Sequence, residues 1–132
     1  MSKFGRINLV KMPGYKKITK PSKIPVLGNK IIEEYFGRLN TGHEKLSVAH
    51  MIAPPGWTEP AQTPDFDEVT ILLSGKMSIK IEEEKLTLSA GEVILVEKGN
   101  RVQYENPFEE EAELWSICMP AFSPELVNRD VK

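Results

Sequence analysis

Two residues of this chain have side chains and settings that could do chemistry together. His50 lies in a strand-like run from Leu46 to Ile52, and Glu68 lies in the stretch Phe66 to Val69. A histidine and a glutamate facing one space can act as an acid–base pair or hold a divalent ion. Burial of Glu68 without a partner would raise its pKa, which suits proton transfer. The plainer alternatives are a structural carboxylate bonded to backbone and a histidine satisfied in the core or at its rim. Alternation puts His50 on the face of Leu46, Val48 and Ile52. His43, in the turn Thr41 to Glu44, reads as solvated. The sequence offers no readable Ser-His-Asp set, no phosphate-binding glycine loop and no zinc cluster.

The elements that must position these residues are short alternating segments bounded by turn residues. Expected strands cover 4–10, 31–39 with a bulge near Gly37, 45–53, 67–73, 76–81, 86–88, 92–96, 102–105 and 113–119. Turn signals separate them at Pro54-Pro55-Gly56, Ser74-Gly75, Ala90-Gly91 and Lys98-Gly99-Asn100. Strands this short and regular close most naturally as an all-β, antiparallel double-sheet jelly-roll barrel. Ser123 and Pro124 form a start signal for one helical turn in the tail.

With 132 residues, 40% of them hydrophobic, the chain is long enough for one domain with a proper core. The expected division is a basic arm over 1–30, a barrel over 45–119 and a tail over 120–132. Net charge is -2, yet residues 1–30 carry eight Lys or Arg and no acid, leaving the body at about -10. An acidic body argues against a polyanionic ligand, so neither nucleic acid nor a membrane is expected. The arm is expected to lie across an acidic second copy in a homodimer. The N-terminus lacks a secretory apolar core and Cys118 is the single cysteine, so a cytoplasmic location is expected.

Gly56, Gln62, Pro64, Glu68 and Gly75 fall on the frame of the first cupin motif, which runs Gly, His-x-His, Glu, Gly. Gly91, Glu97, Gly99, Val102 and Asn106 fall on the second, which runs Gly, Pro-x-Gly, His, Asn. The chain therefore resembles the cupin superfamily over about residues 45–119. It is most similar to the cupin domain of the ethanolamine-utilisation Q proteins and related small single-domain cupins. The glycines, Glu68 and Asn106 match, whereas all three histidines and the proline are replaced.

The resemblance implies that Glu68 points into the barrel and that Gln62 occupies a ligand slot. A metal ion, if bound, would rest on His50, Gln62 and Glu68, because Pro64 and Val102 offer no donor. Tyr104 shares parity with Val102, so it faces inward and its hydroxyl needs a partner. Trp57 walls or caps the barrel mouth. Glu59, on the loop of Gln62, either reaches the ligand or stays solvated. Trp115 and Cys118 have opposite parity, and Cys118 reads as a small buried hydrophobe. Three functions remain open: a binder of a small polar molecule, a metal-dependent enzyme with a rebuilt site, and a scaffold or sensor.

Overall fold

The computed structural model describes residues 14–26 and 28–130. The expected strand over 4–10 and the first part of the basic arm lie outside the described residues.

The strands are β1 (Ser22–Lys23), β2 (Ile31–Phe36), β3 (Ser47–Ala53), β4 (Asp67–Ser74) and β5 (Lys76–Ile81), followed by β6 (Glu84–Ser89), β7 (Val93–Val96), β8 (Val102–Glu105) and β9 (Ala112–Met119). They form two antiparallel sheets, one ordered β1-β2-β3-β9-β4-β7 and the other β6-β5-β8. This is the expected double-sheet jelly roll. Among the described residues no helix is long and apolar enough to cross a membrane.

Between the sheets lies an apolar core that includes Leu72, Met77, Ile79, Val102 and Leu114. A smaller cluster of Phe66, Cys118 and Val127 is covered by Phe122 and Leu126 from the tail. The tail makes one helical turn, α1 (Pro124–Val127), with Ser123 Oγ accepting from Glu125 N as its cap.

Alternation is cleanest in β9, where Ala112, Leu114, Ser116 and Cys118 are buried and the residues between them are partly exposed. Across β3 and β4 the register pairs Ala49 with Ser116 and Thr70, and Ser47 with Cys118 and Glu68. These pairs form the inner face. The next row, His50 with Trp115 and Ile71, faces the other way. The bulge expected in β2 falls between Glu34 and Phe36.

The motif glycines differ in why they are glycine. Gly75 has φ 79°, and a Cβ there would lie 2.4 Å from Glu111 O and 2.9 Å from Ala112 Cα. Gly91 has φ 89° with nothing within 4 Å of its Cβ position. Gly75→Ala is therefore expected to lose about 3 kcal/mol of stability, from backbone collision added to strain. Gly91→Ala should lose only about 1 kcal/mol. Urea unfolding of both variants checks this, and equal losses would contradict it.

Candidate functional site

The inner faces do not meet everywhere. They leave a cavity of about 330 Å³ whose walls include Met51, Phe66, Met77 and Leu114. The polar groups that line it include Lys30 before β2, Glu59 and Gln62 on the loop before β4, Glu68 on β4, Tyr104 on β8 and Arg129 after α1. Small inner residues of the six-stranded sheet, Ser47, Ala49, Thr70 and Ser116, make the room.

Glu68 is the centre of this group. Ser116 Oγ donates to its Oε2 at 2.5 Å and Tyr104 Oη donates to its Oε1 at 3.3 Å. Lost hydration raises its pKa, against the lowering effect of the Ser116 hydroxyl, the Lys30 charge and the Tyr104 hydroxyl. Glu59 is also raised by burial, with Lys30 and Arg129 opposing. Burial pulls the Lys30 amine down, while Glu59 and Glu68 pull it back up. The Tyr104 phenol is pushed well up by burial and by the Glu68 charge, so it stays protonated and can donate. The Cys118 thiol is likewise pushed well up by burial first, which removes it as a thiolate nucleophile at neutral pH.

Gln62 is held by its backbone, whose N–H donates to Val102 O at 2.9 Å and whose O accepts from Val102 N at 2.8 Å. Residue and atom are both buried, yet Gln62 Oε1 has no hydrogen-bond partner among the described residues.

His50 is not in this cavity. Its Nε2 sits 2.6 Å from Glu113 Oε2, its Nδ1 4.0 Å from Glu33 Oε1, and its ring packs edge-on against Trp115. The expectation that it shares a ligand face with Glu68 is thereby corrected. The alternation is real, but Val48 and Ile52 lie with His50 on the outer face, while Ser47, Ala49 and Met51 line the cavity. Trp57 is a core residue whose ring centroid lies 4.0 Å below Lys30 Nζ. Asp67 points away, its Oδ1 accepting from Lys98 N.

The residues present do not fit a divalent metal ion. Among the described residues no three His, Cys, Asp or Glu side chains are grouped as ligands. Two frame positions, Pro64 and Val102, carry no donor, and the cavity holds two cationic side chains, Lys30 and Arg129. The expected set His50, Gln62 and Glu68 is split: His50 and Glu68 lie on opposite faces of the six-stranded sheet, and Gln62 comes from the loop before β4.

Sequence reasoning missed Lys30, Arg129, Ser116 and Glu34. Ser116 was legible, since it alternates with Leu114 and Cys118. Lys30 and Arg129 lie outside the motif frame and reach the cavity only through tertiary folding. Glu34, 1% exposed, is already engaged, its Oε2 accepting from Leu39 N and Asn40 N at 2.9 Å.

The Cupin domain family model matches residues 49–118 of the sequence. This chain belongs to the cupin family. It is 46% identical over 114 residues to the endoribonuclease YbeY of Myxococcus xanthus, a match covering 86% of this chain and 39% of that protein. The chain thus spans about two fifths of that relative's length. Among solved cupin-like structures, oxalate decarboxylase of Bacillus subtilis superposes with TM-score 0.70 at 16% identity, over 83% of this chain and 30% of that one. KdgF from Halomonas sp. gives 0.66 at 14% identity over 80% and 91%. EutQ of Clostridium difficile gives 0.57 at 23% identity over 70% and 65%. At these identities the likeness is one of fold, and this cupin's own side chains must carry the function.

Proposed function

We propose that this cupin binds a small molecule with an apolar body and a polar head inside its barrel, with Glu68 at the head. The observation that carries the reading is a roomy, largely apolar cavity on which the hydrogen-bonded Glu68 carboxyl and the Lys30, Gln62 and Tyr104 side chains converge. Such convergence of a few polar groups in an apolar pocket is the usual make-up of a ligand site. A barrel serving only as a scaffold would have filled this space with side chains.

A second reading has one specific support. The raised Glu68 carboxyl beside a protonated Tyr104 is the arrangement of a general acid–base pair, so proton transfer on the bound molecule follows naturally from it. No step through a metal ion is part of either reading. The activity named for the Myxococcus xanthus relative is not proposed for this cavity, which is too small and apolar for a polynucleotide.

Pairing of two copies belongs to the same proposal. The outer face of the six-stranded sheet exposes Leu73, Val93 and Leu95, and apolar patches of this kind favour association. A cytoplasmic setting is proposed from the single reduced cysteine, Cys118.

A thermal-shift screen of small acids, alcohols and amines tests the binding reading. Ala49→Met, which fills the cavity from β3, is expected to abolish the shift produced by any hit while leaving the fold intact. A hit that shifts the variant as much as the wild type would place the ligand outside the barrel.

A further inference from the structure

We infer that two copies of this chain pack the outer faces of their six-stranded sheets against each other, with Trp115 at the centre of the contact; this rests on the pairing reading and names its surface. The two sheets present very different faces to the outside. On the three-stranded sheet the register puts Lys80, Lys85 and Gln103 in one outer row and Ser78, Thr87 and Glu105 in the next. All six are polar, as a sheet face turned to water should be.

The six-stranded sheet breaks that rule. One outer row runs Val48, Ile117, Val69 and Leu95 across four neighbouring strands, and the next runs His50, Trp115, Ile71 and Val93. Val93 and Leu95 are 58% and 53% exposed, and the rest of both rows is partly exposed. One chain thus keeps one face polar and fills the other with β-branched and aromatic side chains, the make-up of an interface core. Trp115 stands on β9, the middle of the five longer strands, its ring centroid 5.3 Å from that of Tyr35 and 5.0 Å from that of His50. A partly exposed tryptophan braced by its neighbours is a common anchor of protein contacts.

The face is also large enough. Strands about 4.8 Å apart, each about six residues long at roughly 3.3 Å per residue, give the five longer strands a face of roughly 500 Å². Two such faces together bury about 1,000 Å², which reaches the size of a specific interface.

Charge favours a second copy over a lipid surface or a nucleic acid. From β2 to β7 the paired outer positions hold no lysine or arginine, and their charged side chains next to His50 are the acids Glu33 and Glu113. The first lysine comes only at the edge, Lys23 on β1. Anionic headgroups and phosphate backbones call for basic residues on the contact face. A flat apolar sheet needs only another flat apolar sheet, and such sheets stack about 10 Å apart.

Sedimentation velocity of the full chain over a concentration series tests this. Wild type should run as a dimer at about 100 µM. Val93→Lys with Leu95→Lys should weaken pairing at least about 100-fold. Both side chains are more than half exposed, so circular dichroism should show the fold intact. Thr87→Lys with Gln103→Lys adds the same charge to the polar sheet face and should leave pairing unchanged.

A β7 variant that pairs as tightly as wild type overturns this contact and keeps pairing through another surface. Wild type that stays monomeric at about 200 µM overturns pairing and contact together. Flotation of that monomer with phosphatidylcholine–phosphatidylglycerol vesicles would then assign the face to lipid. Should the lysine pair unfold the chain, a soluble gadolinium chelate decides on wild type. Val93 and Leu95 methyls should be better shielded from it in concentrated than in dilute samples, and equal shielding overturns the contact.

Discussion

Replacing Asn106 with aspartate is expected to cost about 4 kcal/mol of stability at neutral pH. Asn106 is fully buried and joins three chain segments. Its Nδ2 donates to Ala53 O at 3.0 Å and to Glu110 O at 2.8 Å, and its Oδ1 accepts from Phe108 N at 3.1 Å. Its own N–H donates to Trp57 O, and its own O accepts from Gly56 N. Aspartate keeps the acceptor and turns the double donor into an oxygen facing two carbonyl oxygens. Ionised, it would be a buried charge with no cation; protonated, it supplies one donor where two are needed.

That conflict has a pH signature. The introduced carboxyl would be held protonated in the fold, with a pKa raised above its unfolded value. The folded state would then bind the extra proton, so the variant's stability should fall as pH rises through that window. Urea unfolding of Asn106→Asp should therefore show a smaller deficit at pH near 5 than at pH near 8. A loss below about 1 kcal/mol, the worth of one ordinary hydrogen bond, would show that the network is not holding these segments together.

Glu68→Gln is expected to separate binding from folding. Any ligand that scores in the thermal-shift screen should bind the variant about 10- to 100-fold more weakly, the usual effect of losing a hydrogen bond to an ionisable group. The fold should not suffer in proportion, because burial disfavours the charge that glutamine removes. The Glu68 pKa is raised in the folded chain, so the folded state holds a proton that the unfolded chain has released. Its contribution to stability is therefore greatest at acid pH and declines as pH rises toward the raised value. Glutamine has no such decline.

The melting-temperature gap, variant minus wild type, should accordingly widen between acid and neutral pH and then level off. Glu59 and Lys30 titrate in both proteins, so the difference isolates Glu68 apart from its coupling to them. A gap that stays flat or narrows with pH would mean that the hydroxyls of Ser116 and Tyr104 outweigh the lost hydration. Unchanged ligand affinity would make Glu68 structural.

Much of the scaffold was legible because its cues are local. Ser74-Gly75 and Ala90-Gly91 need positive φ, and the glycine signal says so directly. Ser123 and Pro124 begin a helical turn by the chemistry of adjacent residues. Glu68 and Gln62 could be read from the motif frame, and Tyr104 from its parity with Val102. All three line the cavity.

The error at His50 shows where local reading ends. Period two determines which residues share a face, and it rightly groups His50 with Val48 and Ile52. It does not say which face looks inward. In most sheets the larger apolar residues settle that question, but here the inner face needs room for a cavity and carries Ser47, Ala49 and Ser116 instead.

By itself, then, the sequence determined the strands, their turns, the cupin frame and the loss of the metal-binding histidines, because each is written in residue type and short spacing. Only the tertiary structure decided that Lys30 and Arg129, about a hundred residues apart along the chain, line one space with Glu68. It also decided that Gln62 joins them in lining that space. Those facts depend on which surfaces meet across the two sheets, and long-range packing carries that information while periodicity does not.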